Sequence, residues 1–193
     1  MLAVTHSHPD HVGALPKLLQ AYPNISVAYH ENEQPFLSGN GKYADLPGDN
    51  IQYNLMKRFI PQACSTIVPN GRALLLKGQS GDVSDAFTSV LWLPKGILEY
   101  HAVPGHSPGQ LAFFHKPTRS VVTGDAVVHT SAWFPFSAVR NICLKSPPGN
   151  FNTKLMKESQ QMLAALPGAE MFFPSHDANN GVSARALKQF VVA

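Results

Sequence analysis

A chain of 193 residues, 44% hydrophobic and 14% charged, is long enough to bury one good core, and its length argues for one domain over 1–193. The formal net charge is only +3, and its fifteen Lys and Arg are scattered rather than gathered into a stripe, which argues against nucleic-acid binding. No apolar run approaches the ~18 residues of a membrane span and no basic stretch leads into a long apolar one, so a soluble, intracellular protein without a membrane partner is expected.

The elements alternate along the chain. "LAVT" (2–5) reads as a short strand, and Leu15, Leu18, Leu19 and Tyr22 then recur with the spacing of a buried helix face. "ISVAY" (25–29) reads as a strand. Residues 31–60 mix turn formers with a helix over "YNLMKRFI", a stretch suited to a lid. Strands are expected at "RALLL" (72–76), "FTSVLWL" (87–93) and "ILEYHAV" (97–103), followed by a hairpin over 111–125 that turns at Pro117. Two helices close the chain. One covers 153–166, with Leu155, Met162, Leu163 and Leu166 on one face, and the other covers 183–191, with Ser183 as its N-cap. Cys64 and Cys143 are far apart and lack CxxC spacing, so they read as buried free thiols, in keeping with a reducing compartment.

Metal-binding chemistry is concentrated in "AVTHSHPDHVG" (3–13), where the pattern HxHxDH falls on a strand-to-helix turn. In an extended chain, residues two apart point the same way, so His6 and His8 reach one ion while Asp10 and His11, past Pro9, aim elsewhere. One stretch can serve two metals. Neutral imidazole and carboxylate are the donors that Zn²⁺ takes in catalytic sites. The alternative, a polar loop of solvated histidines, requires this four-residue pattern to arise by chance in a chain with nine histidines. Further along, "AVPGHSPGQ" places His106 after a strand, "SVVTGDAV" places Asp125 at a strand end, and "FFPSHD" does the same for His176. Each alone reads as a turn residue, but with HxHxDH the three form a set.

The segments "THSHPDHVG", "PGHSPGQ", "TGDAV" and "PSHD" resemble, in order and spacing, the successive motifs of the metallo-β-lactamase superfamily, and the resemblance covers essentially the whole chain. It implies an α/β fold, an αββα sandwich of two mixed sheets flanked by helices, with a metal pair at one edge. By motif, His6, His8 and His106 would hold one metal and Asp10, His11 and His176 the other, with Asp125 as the bridge. Where the diiron oxygen- and nitric-oxide-reducing branch usually has Glu, this chain has His8, and where class B1 lactamases have Cys it has Asp. The resemblance therefore favours the glyoxalase II-like and general hydrolase branch.

That branch implies a hydrolase in which metal-bound hydroxide attacks an ester, thioester, lactone or related bond at a dinuclear site. Two divalent ions about 3.5–4 Å apart lower the pKa of a bridging water and polarise the substrate oxygen. Zinc is the default ion, two per chain, with iron and manganese also suited to these donors. Two carboxylates leave positive charge in excess, favouring an anionic small-molecule substrate, and Asp10 is the candidate catalytic residue, holding the attacking water or passing a proton to the leaving group. Trp133, Phe134, Phe136 and Phe151, with Arg140 and Lys145, have the composition of an apolar pocket with a cationic end, and equally that of ordinary core. His129 is a weaker candidate for supporting the ligands, while His30, His101 and His115 read as structural.

Two other functions share these residues. A mononuclear iron dioxygenase of the persulfide dioxygenase kind would use His6, His8, His106 and Asp125, and a non-catalytic module of the same fold would use none. Only Met1–Thr5 precede His6, where members of the superfamily carry several strands. The first sheet is accordingly expected to lack its N-terminal strands and to present an unpaired edge that another segment or a second subunit covers, as in a homodimer.

Overall fold

The computed structural model describes residues 1–49, 51–57, 67–86, 94–129, 144–145, 150–176 and 181–192. In chain order the elements are β1 (Leu2–Ala3), α1 (Pro9–Val12), α2 (Leu15–Ala21), β2 (Val27–His30), α3 (Gln34–Leu37), α4 (Ile51–Met56), β3 (Ala73–Leu76), β4 (Ser80–Asp82), β5 (Leu98–Ala102), β6 (Leu111–His115), β7 (Ser120–His129), β8 (Leu144–Lys145), α5 (Thr153–Ala164), β9 (Met171–Ser175), β10 (Val182–Ser183) and α6 (Ala184–Val192). They form two sheets, one of order β1-β2-β3 and one of order β10-β9-β7-β6-β5-β4 with β8 paired to β7.

The smaller sheet is parallel throughout the described residues, with Val27 of β2 opposite Leu2 on one side and Ala73 on the other. A central parallel strand is covered on both faces, and all four residues of β2 are buried. In the larger sheet β4, β5, β6 and β7 run as antiparallel neighbours, whereas β7 and β9 are parallel. The larger sheet is thus mixed, and the described strands of the smaller one are parallel. The "LAFFH" and "SVVTGD" runs pair as a hairpin, Phe113 opposite Val122, as their alternation implied.

Four layers follow from where the apolar side chains go. Val12, Leu15, Leu19 and Leu37 bury one face of the smaller sheet through Val27 and Tyr29. Ala28 and Leu76 meet Tyr100, Ala102, Leu111 and Phe113 between the sheets. Met156, Leu163 and Leu187, from the two C-terminal helices, cover Ala112, Phe114, Val121 and Phe172 on the far face of the larger sheet. The helix-sheet-sheet-helix sandwich is the expected one.

Local differences have local causes. The helix expected after the motif is two short helices, because Pro16 starts a new one at its first turn. Leu15 and Leu19 are buried, but Tyr22 falls just past the end of α2 and is exposed. On α5 the buried stripe is Met156, Ser159, Gln160 and Leu163, one position on from the expected Leu155. Ser183 does cap α6, its Oγ accepting from Ala186 N at 3.3 Å. Within 31–60, Glu33, Phe36, Leu37, Tyr43 and Tyr53 are buried, and residues 50 and 58–60 lie outside the described residues. The strand expected at 87–93, Cys64, Cys143, Trp133, Phe134, Phe136, Arg140 and the side chains of His129 and Lys145 lie outside what the structure describes. No helix of the described residues is long and apolar enough to cross a membrane.

Candidate metal centre

Of the expected ligands, His6, His8, His106 and His176 lie between elements, Asp10 and His11 in the single turn of α1, and Asp125 inside β7 at its irregularity and not at a strand end as expected, because the strand runs on to His129. His8 is the N-cap of α1, extended at φ −63 and ψ 147, with Pro9 fixing the first helical position. That break leaves His6 and His8 on one side and carries Asp10 and His11 onto the first turn. Thr5 accepts a hydrogen bond from Leu111 N at 2.8 Å, which anchors the start of the motif against β6 of the larger sheet.

His106 follows Gly105, whose φ of +133 is open to glycine; a Cβ there would lie 2.4 Å from Met156 N. The loop therefore lies directly against α5. Gly124 (φ +54) marks an irregularity in the β7–β9 register, and a Cβ there would lie 3.0 Å from Thr5 Cβ. The bulge turns Asp125 toward the histidines. With its oxygen toward β7, the orientation that suits both sides, the fully buried Gln110 amide accepts from Asp125 N at 3.1 Å and from Ala126 N. His176 adopts φ +55 just past β9, and this left-handed turn brings its ring back over the sheet end.

The seven side chains converge. His6 Nε2 and His8 Nδ1 face each other at 3.0 Å, and His6, His8 and His106 form one buried group of mutually close donor atoms. Asp10, His11 and His176 form a second, with His176 Nε2 3.3 Å from Asp10 Oδ2. Asp125 lies between them: Oδ2 is 3.3 Å from His106 Nε2 and 3.5 Å from His176 Nε2, while Oδ1 is 3.4 Å from His11 Nε2. His6, His11 and Asp125 form a third close set that adjoins the other two. The site is closed at one end and open at the other, for His6 is fully buried whereas the Asp10 side chain is 53% exposed.

The donor set suits a cation. Burial, then the charge of neighbouring histidines, holds His6 and His8 well below the ordinary imidazole range, leaving them neutral with lone pairs to give. Burial would lower His11 too, but the Asp125 and Asp10 carboxylates outweigh it and raise it. Burial would raise Asp125, but the His106 and His11 imidazoles beside its oxygens hold it far below the ordinary carboxylate range. His8 Nε2, His11 Nε2, His106 Nε2 and Asp125 Oδ1 are buried without a hydrogen-bond partner, a costly arrangement in a protein interior. Such unmet lone pairs, aimed at a common space, fit divalent metal. Asn150 Oδ1, 3.4 Å from His106 Nδ1, and Thr5 Oγ1, 3.2 Å from His6 Nδ1, engage the outer ring nitrogens and turn the inner ones to the centre.

Several supporting residues carry no motif. Gln110, Asn150, Glu33 and Tyr43 act across long sequence separations. Among the other histidines, His30 Nε2 is 3.1 Å from Gly78 O and His115 Nδ1 is 2.7 Å from Thr118 Oγ1, the structural roles expected of them.

Two layers of sheet between helices, with a histidine and aspartate cluster at the strand ends, define a metallohydrolase-type architecture. Residues 2–189 match the family model described as the metallo-beta-lactamase superfamily, and the chain belongs to that superfamily. It is similar to the probable metallo-hydrolase YybB of Bacillus subtilis (strain 168), with 27% identity over 66% of this chain and 45% of that protein. A shorter similarity, 41% identity over 23% of this chain and 19% of the relative, links it to a hydroxyacylglutathione hydrolase of Aliivibrio salmonicida (strain LFI1238). The chain thus spans less than half the length of the curated relatives it matches. Among solved structures, an archaeal metallo-beta-lactamase superfamily protein from Sulfolobus tokodaii shares the fold with a TM-score of 0.63 at 17% identity, over 98% of this chain and 65% of the other.

Proposed function

We propose that the chain is a metal-dependent hydrolase with a dinuclear centre, acting on an ester, thioester, lactone or related small molecule. The observation that carries this reading is the placement of Asp125 between two donor groups that adjoin at His6 and His11, with one oxygen toward His11 and the other toward His106 and His176. His6, His8 and His106 would hold one ion and Asp10, His11 and His176 the other. When bound, the metals supply Lewis acidity that activates water and polarises the scissile carbonyl.

The chain's own residues set the direction of approach. The His6, His8 and His106 rings are buried and closed off, so substrate enters at the Asp10 and His176 end. Asp10 stands at that opening with a carboxylate oxygen 3.6 Å from His11 Nε2, placed to accept a hydrogen bond from the attacking water and to return the proton to the leaving group. With five imidazoles and two carboxylates, the loaded centre retains positive charge and attracts an anionic substrate or transition state. A mononuclear dioxygenase would leave the Asp10, His11 and His176 group without a task. The partial similarity to a hydroxyacylglutathione hydrolase supports including thioesters among the substrates.

Metal analysis of the purified protein, followed by hydrolysis of a panel of thioesters, lactones and phosphodiesters, tests the reading. About two zinc ions per chain and chelator-sensitive turnover restored by zinc are expected. About one iron per chain with oxygen uptake would replace this reading with the dioxygenase, and a folded protein that takes up no metal would overturn it.

A further inference from the structure

Three segments distant in sequence meet at the Glu33 carboxyl group, which is fully buried at the end of the 3₁₀ turn Glu31–Glu33. Its Oε2 accepts from the Ser7 backbone N–H at 3.0 Å and from the hydroxyls of Ser7 (2.5 Å) and Tyr43 (2.7 Å). Its Oε1 accepts from Gly109 N–H at 2.7 Å. Ser7 stands between His6 and His8, and Gly109 lies three residues beyond His106. One side chain therefore ties together the two loops that supply the three-histidine group. The loop comes so close that a Cβ on Gly109 would lie 2.8 Å from Glu33 Cγ.

Tyr43 extends the connection to a ligand. Its ring packs 4.4 Å from the His8 ring between centroids, and Phe36 stacks on it at 4.1 Å with the planes 7° apart. The hydroxyl that donates to Glu33 thereby fixes the surface on which His8 rests. A carboxyl group is costly to bury unless donors meet both oxygens, and here they do. Packing alone would be served by an aliphatic side chain. The four donors instead make the group a gauge of distance between the loops, because the Ser7 bonds or the Gly109 bond are lost if the loop that makes them shifts by an ångström.

We propose that Glu33 is a positioning residue for the metal centre: it sets the separation of the His6–His8 and His106 loops and, through Tyr43, the tilt of the His8 ring. It does not itself bind metal or substrate. The inference rests on the metal-centre reading above.

The test compares parent, Glu33→Gln and Tyr43→Phe for Zn²⁺ affinity by competition with a chromophoric chelator, and for the visible spectrum of Co²⁺-loaded protein. Thermal unfolding of the metal-free proteins is followed alongside. Glu33→Gln keeps the shape but turns an NH₂ toward donors, and is expected to weaken the tighter Zn²⁺ by about 10–100-fold. The Co²⁺ bands are expected to shift, which a purely stabilising role would not cause. Tyr43→Phe, which removes a single hydroxyl, is expected to give a smaller change of the same kind, and it carries the test alone if Glu33→Gln does not fold. A folded variant with parental affinity and an unaltered Co²⁺ spectrum overturns the inference. If the parent itself binds no metal, the underlying reading of the site fails instead.

Discussion

Asp125 Oδ2 faces His106 Nε2 at 3.3 Å, and both side chains are more than nine-tenths buried. A carboxylate so placed, with its other oxygen reaching His11, touches both donor groups. Replacing it with Asn keeps the shape and removes the charge. Asp125→Asn is expected to reduce bound zinc from about two ions per chain to one or none and to lower hydrolysis by about 10²-fold or more. Metal content that stays at the parental level would deny Asp125 the bridging role.

Zinc is also expected to stabilise the fold, since the donors are already assembled in the folded chain and dispersed in the unfolded one. A ligand at 100 times its dissociation constant adds roughly 2.7 kcal/mol. Scanning calorimetry with graded zinc should show Tm rising with concentration in the parent, and rising less in Asp125→Asn.

Gly105→Ala probes how closely the His106 loop rests on α5. The added methyl would meet the Met156 backbone at 2.4 Å, at a φ of +133 that alanine rarely adopts. A loss of about 2–4 kcal/mol is expected in denaturant unfolding, with metal affinity reduced in any protein that folds. A parental midpoint would mean that α5 yields at no cost.

Arg72 offers a contrast remote from the centre. Its guanidinium donates to Leu19 O at 2.9 Å, Tyr22 O at 2.7 Å and Ile25 O at 2.8 Å, closing the end of α2 and the strand that follows. Arg72→Met is expected to cost about 1–3 kcal/mol in unfolding while leaving zinc stoichiometry at the parental value. A change in stoichiometry would link the α2 end to the site.

His101 gives a pH signature. Burial lowers its pKa below the ordinary 6.5, an effect that Lys116 adds to and Glu99, at 3.7 Å, opposes. The unfolded chain therefore binds a proton more readily than the folded one. The resulting stability is fully present above pH 6.5 and is lost as pH falls through the lower, folded-state pKa. His101→Gln is expected to flatten the fall in Tm of the metal-free protein between neutral pH and about pH 5. A slope identical to the parent's would show that His101 does not titrate differently on folding.

What the sequence made legible was chemistry carried by neighbours in the chain. The HxHxDH turn declares itself because the separation of its donors is set by local backbone geometry, and His106 and His176 follow strands that hydrophobic runs reveal, whereas Asp125 sits at a bulge inside β7 that the run alone does not show. Glu33 and Gln110 were unreadable for the opposite reason. Their meaning depends on closure across the fold, from residue 33 to 7 and 109, or from the loop at 110 to the bulge at 125. The α5 stripe was misplaced because Ser159 and Gln160, polar and thus scored as solvent-facing, are buried. Ser159 Oγ donates to Pro104 O at 2.7 Å, and Gln160 Nε2 to Ala126 O at 2.8 Å. Tyr22 was placed inward because periodicity does not register where Pro16 resets the helix.

Those two bonds from α5 reach Pro104, two residues before His106, and Ala126, next to Asp125. A helix fastened to both cannot fray without loosening both. Opening of the outer layer is therefore expected to open the inner ligand loops with it, so that amide exchange in α5 and beside His106 and Asp125 follows one and the same opening free energy.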